Sequence, residues 1–227
     1  MNSSSIQSDR RAAAIIGVLY IAGTAAGLLA AVVSAPLLDG DDYVAQIAAN
    51  PNQLALGVVF ILTMAFSLAL IPIVFWPIGR RYSERLATGY VVFRGAIETV
   101  SYLPGAFSWM LLIELSKQPD HAMADVVQSA HTLFADTVFP FPFLIGAVMF
   151  YSLLYRWRLI PRWLSGLGLV GLALNVVAPL TAMFGVDLGF EPALLEGVVF
   201  VQEMVMALWL IVRGFNLPDP AQSPQPV

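Results

Sequence analysis

Six stretches of this chain, at about 12–34, 54–78, 86–112, 130–155, 163–184 and 193–211, are each apolar over the length of a bilayer crossing. A membrane-spanning helix needs about 20 mostly apolar residues. Hydrocarbon offers no partner for backbone N–H and C=O groups, so a spanning segment folds as a helix or as part of a closed barrel. The period-2 alternation of barrel strands is missing from all six stretches. The pattern predicts an all-α, polytopic membrane helical bundle with six transmembrane helices. It would occupy residues 12–214, between a tail at 1–11 and a proline-rich, disordered tail at 215–227. The first stretch exceeds the apolar core of about 7–15 residues of a signal peptide, and Pro36 after Ser34 and Ala35 should hinder cleavage, so it is read as a retained helix.

The few charges sharpen this picture. Charged residues make up 11% of the 227, against roughly 25% in a soluble domain. With 11 Lys+Arg against 15 Asp+Glu there is no phosphate-binding face, which excludes nucleic acid as a partner. The absence of cysteine removes disulfides, thiolate nucleophiles and thiolate metal sites. Arg10 and Arg11 precede the first stretch, Arg80, Arg81 and Arg85 follow the second, Arg156, Arg158 and Arg162 follow the fourth, and Arg213 follows the sixth. The remaining loops carry Asp39, Asp41, Asp42, Asp120, Asp187 and Glu191, with Lys117 as their one base. The positive-inside rule therefore places both termini of a multi-pass protein in the cytoplasm, with Trp76, Trp157 and Trp163 as an aromatic belt on that side. In the first acidic loop, Asp41 and Asp42 are expected to cap a short interfacial helix ending near Asn50 and Pro51.

Ionisable side chains inside the spans cost at least about 2.5–3.5 kcal/mol each at a helix centre and therefore tend to face the bundle interior. Arg94 and Glu98, at i and i+4 on the third span, share a stripe with Tyr90 and Ser101. Glu203 lies near the middle of the sixth span, on the face of Glu196, with Gln202 about 100° away; Asn175 lies near the middle of the fifth. Tyr20 and Thr24 reach a similar depth on the first. A ligand-binding site lined by Arg94, Glu98, Glu203, Tyr90, Asn175 and Gln202 is the expectation. Two carboxylates there face one cation, which suits exchange of a proton or binding of a cationic small ligand.

On the fourth span, His131 and Asp136 are five residues apart and thus about 140° apart around the helix, so they do not form a joint site. Asp136 is expected to bond Thr132 or a neighbouring helix. No H-E-x-x-H or other zinc spacing occurs, and neither a catalytic residue, a metal site nor a cofactor is assigned. Pro72, Pro77, Pro104, Pro140, Pro142 and Pro179 interrupt the apolar stretches, and Pro140 with Pro142 should bend the fourth strongly. Gly23, Gly27, Gly166, Gly168 and Gly171 are expected to bring helices of one chain close together.

Several stretches combine into a familiar pattern: Ala48-Ala49-Asn50-Pro51-Asn52-Gln53-Leu54, the Tyr90, Arg94, Glu98 stripe, Leu159-Ile160-Pro161-Arg162-Trp163-Leu164-Ser165, and Trp209-Leu210-Ile211-Val212-Arg213-Gly214-Phe215. This resembles the bacterial membrane proteins grouped as domain-of-unknown-function family 4386, over nearly the whole chain. The resemblance implies a six-helix bacterial inner-membrane protein and carries no reaction with it. Beside a ligand- or proton-binding or transporting protein stand two other readings: an accessory or structural membrane subunit whose buried Arg–Glu cluster only fixes packing, and an intramembrane enzyme acting on lipid or quinone. The last lacks a G-x-S-x-G, a metal motif or clustered acids at a membrane face. Apart from the lipid bilayer, no protein partner is readable.

Overall fold

The computed structural model describes residues 3–187, 189–190 and 193–217; for 3–6, 193 and 196 only the backbone is described. Its helices are α1 (Ser3–Leu38), α2 (Tyr43–Ala49), α3 (Pro51–Gly79), α4 (Glu84–Tyr90), a π-helical segment (Val91–Ile97), α5 (Glu98–Leu115), α6 (Ala122–Thr137), α7 (Pro140–Arg156), α8 (Arg162–Asn175), α9 (Val177–Phe184) and α10 (Ala193–Val212). Among the described residues there is no strand. Five helical units are long and apolar enough to cross a membrane: Gln7–Leu38, Pro51–Gly79, Glu84–Leu115, Ala122–Arg156 and Arg162–Phe184. Their outer faces match that medium, since large side chains such as Val32, Phe66, Phe107, Leu133 and Val170 are exposed. A soluble monomer rarely presents apolar surface of that extent.

The units close into a ring. α1 packs on α3 and α10, α3 on the π-helical segment and α5, that segment on α7, α7 on α8, and α8 on α10. Small residues set the spacings, as their positions predict: a Cβ on Gly23 would lie 3.0 Å from Leu68, one on Gly27 2.5 Å from Met64, and one on Gly171 2.8 Å from Val199. Gly23 and Gly27 therefore serve contact between α1 and α3 of the same chain.

The prolines act unequally. Pro72, Pro77 and Pro104 lie within continuous helix. Pro140 is the first residue of α7, after a break at Val138 and Phe139. Having no N–H, it leaves the main-chain carbonyl of Asp136 without its i+4 donor. Pro179 does the same to the carbonyl of Asn175, where α8 ends and α9 begins. The fourth and fifth units are thus broken helices. The short helix after the first acidic loop forms as expected, but the Asp42 side chain does not cap it; the Asp42 carbonyl accepts the Gln46 N–H at 3.0 Å instead.

Within the tails expected at 1–11 and 215–227, the described residues 3–11 belong to a helix and 215–217 lie beyond the last one. α1 begins at Ser3, and within it Asp9 is buried and takes hydrogen bonds of 2.7 and 2.8 Å from the two terminal nitrogens of Arg81. Beyond α10, the Asn216 N–H donates to the Leu159 carbonyl at 2.8 Å and Phe215 packs 5.5 Å from the Phe75 ring. The rest of the expected disordered tail, 218–227, lies outside the described residues.

Arg10 fastens the first helix to the last. Its guanidinium donates to the carbonyls of Ile211 at 3.0 Å and Val212 at 2.6 Å, two of the acceptors that the end of α10 leaves without helical partners. Arg10→Ala should lower stability by about 1 kcal/mol, and Arg10→Lys by less, since the contact combines a charged donor with the negative end of a helix. Thermal unfolding in detergent measures this; equal midpoints for wild type and Arg10→Ala would show that the contact contributes nothing.

Candidate functional site

The third unit changes winding at its most polar point. Val91–Ile97 is a π-helical turn, wider than the α-helix on either side, and Arg94 lies at its centre. Turns of this kind often mark functional positions. A close neighbour shapes it: a Cβ on Gly146 of α7 would stand 2.9 Å from the Arg94 backbone nitrogen and 3.1 Å from Arg94 Cβ. Only glycine lets α7 come this near, and the approach holds the arginine inside the ring.

Arg94 and Glu98 are both buried, at 4% and 2% side-chain exposure. Arg94 Nη1 donates to both Glu98 oxygens, at 2.8 and 2.9 Å. The Tyr102 hydroxyl, one turn further on, donates to Glu98 Oε1 at 3.4 Å. Arg94 also stacks its guanidinium 4.7 Å from the centre of the Phe143 ring. Glu203 is held less closely: its Oε1 lies 3.8 Å from Arg94 Nη2, an ion pair beyond hydrogen-bond length, and its side chain keeps 13% exposure.

That exposure faces a cavity of about 550 Å³, and every helical unit of the ring contributes to its wall. Thr24 and Leu28 come from α1, Met64 and Leu68 from α3, and Arg94, Glu98 and Tyr102 from the third unit. The broken fourth unit adds Asp136, Phe139 and Phe143, the fifth Asn175, and α10 Phe200 and Glu203. Asn175 is 7% exposed, and its carboxamide has no hydrogen-bond partner among the described residues. Asp136 and Leu28 are exposed, and the Phe200 side chain is 43% exposed. All three lie between the charged cluster and the acidic loops. On the arginine-rich side the ring is filled instead. Phe75 meets Phe150 at 4.9 Å, Phe150 stacks on Tyr90 at 4.5 Å, and the Tyr20 and Tyr90 hydroxyls lie 3.4 Å apart.

Of the six residues expected to form the site, Arg94, Glu98, Glu203 and Asn175 line this cavity. Tyr90 and Gln202 do not. Tyr90 is 1% exposed within the aromatic packing beneath it. Gln202 is fully buried, accepting from the Tyr151 hydroxyl at 2.6 Å and donating to the Leu164 carbonyl at 3.1 Å. It ties α10 to α7 and α8 behind Glu203. The Glu196 side chain lies outside the described residues.

Tyr102, Phe139, Phe143, Phe200 and Asp136 also line the cavity, beyond the residues expected from the sequence. Tyr102 carried a signal, standing at i+4 from Glu98. The hydrogen bond expected between Asp136 and Thr132 is not formed, and Asp136 stands at the cavity rim. His131, as its angular offset indicated, points elsewhere: its Nδ1 is 2.7 Å from Ser108 Oγ and its ring 5.8 Å from Trp109.

No curated protein and no solved structure matches this chain. The family model described as Domain of unknown function (DUF4386) matches residues 15–214, and the chain belongs to that family.

Proposed function

We propose that this is a six-span protein of the bacterial inner membrane, with both termini in the cytoplasm, that binds a small ligand or a proton in its central cavity. The observation that carries this reading is the convergence of all six helical units on one cavity with an incompletely paired carboxylate, Glu203, in its wall. A cavity of about 550 Å³ is within the range of about 300–1,000 Å³ usual for small-molecule sites. The sixth span would be α10, whose 20 residues reach about 30 Å at 1.5 Å each. On the positive-inside rule the filled end of the ring, toward the arginine-rich loops, faces the cytoplasm, and the ligand enters from the opposite side.

A second reading, that the charges only fix packing, draws support from the Arg94–Glu98 pair, which satisfies itself within one span. Water in the cavity separates the two. Because the chain has no cysteine of its own, single thiols report without background. In right-side-out vesicles, Thr24→Cys and Asn175→Cys should react with a membrane-impermeant maleimide. Leu208→Cys on the lipid face and Ile71→Cys in the packed interior should not. No reaction at positions 24 and 175 would reject the cavity reading, and reaction only in inside-out vesicles would reverse the orientation.

A further inference from the structure

We propose that the cavity takes an organic cation with an apolar body, and that Glu203 is its counter-ion. This rests on the cavity being a ligand site, as proposed above, and adds the chemistry of the ligand.

The wall is rich in acceptors and poor in donors. Glu98, Glu203 and Asp136 set three carboxylates against one guanidinium, and that guanidinium is already engaged by Glu98 at 2.8 and 2.9 Å. An anionic ligand would meet repulsion from the three carboxylates. A cation finds Glu203, whose ion pair with Arg94 is open at 3.8 Å, and the carboxamide of Asn175, which has no hydrogen-bond partner among the described residues.

The remaining wall is apolar and aromatic. Tyr102 and Phe139 meet edge to face at 4.8 Å, and Phe200 stands across the cavity mouth on α10. Ring faces attract cations and cover apolar surface in the same contact. A small inorganic cation would leave this lining unused; a cation carrying hydrocarbon or aromatic groups uses both parts. Asp136 at the exposed rim draws such a ligand toward the mouth.

Tetraphenylphosphonium and tetraphenylborate test this as a pair of one shape and opposite charge. Binding of each is measured on the full chain in lipid nanodiscs, with empty nanodiscs subtracted. Tetraphenylphosphonium should bind saturably and tetraphenylborate should not. Glu203→Gln should weaken the cation about tenfold and Asp136→Asn, at an exposed position with no packing role, about two- to threefold, as a nearer and a farther charge would. Equal saturable binding of both ions, or unchanged affinity in both variants, would overturn the proposal. If positions 24 and 175 are water-accessible by thiol labelling while the phosphonium ion fails to bind, the cation inference falls and the cavity stands. If those positions are inaccessible, both fall.

Discussion

Replacing Arg94 with methionine should cost the bundle about 3–5 kcal/mol, because it strips the one cation from two buried carboxylates. The change keeps most of the side-chain length and its contact with Phe143, so the loss reads out charge more than volume. Glu98 would keep the hydrogen bond from Tyr102 at 3.4 Å and lose both bonds of 2.8 and 2.9 Å. Glu203 would lose its neighbour at 3.8 Å and face Glu98 directly. Arg94→Lys should cost less, since it keeps the charge and gives up the reach toward both acids together. Adding Glu98→Gln to Arg94→Met should restore a large part of the loss, because one charge then leaves together with its partner. Unfolding by denaturant or heat in detergent, arranged as a double-mutant cycle, measures the coupling. If Arg94→Met unfolds at the wild-type midpoint, the cluster does not hold the helices together.

Gly146→Ala should have the next largest effect, about 1–3 kcal/mol. The added methyl would stand 2.9 Å from a backbone nitrogen and 3.3 Å from Phe93 Cβ, and neither atom can rotate out of the way. α7 must retreat from the π-helical turn, taking Phe143 away from Arg94 and widening the cavity. Two other glycines show how local this is. A Cβ on Gly166 meets nothing closer than Tyr155 at 3.6 Å, and one on Gly197 meets nothing within 4 Å. Alanine at either place should be neutral or slightly stabilising, given its helix preference over glycine of about 1 kcal/mol. A Gly146→Ala protein as stable as Gly166→Ala would mean that this approach is not tight.

Much of this architecture is legible in one dimension. Apolar length fixes where helices cross, and the sparse charges at 94, 98 and 203 point inward because lipid excludes them. What periodicity does not carry is which neighbour a buried polar group meets. Tyr90 shares the stripe of Arg94 and Glu98, yet Phe75 and Phe150 surround it from helices distant in sequence and close off its ring. Gln202 is adjacent to Glu203 but turned away from it, toward Tyr151 and Leu164. The aromatic wall is hidden for another reason: Phe139 and Phe143 sit in a run of apolar residues that does not separate cavity-lining rings from lipid-facing ones. The π-helical turn has no spacing signature of its own, and its packing against Gly146 joins positions distant in sequence.

The i, i+4 placement of Arg94 and Glu98 has a consequence for how the protein is made. Spans enter the bilayer in the order of synthesis, and the third is present before α10 exists. Because acid and base sit on the same segment, that segment travels into lipid with its own counter-charge and needs no later helix to neutralise it. Glu203 meets its arginine only on arrival in the ring. Glu203 is therefore the charge whose partner lies on another segment, and its neutralisation depends on α10 having docked beside the third unit.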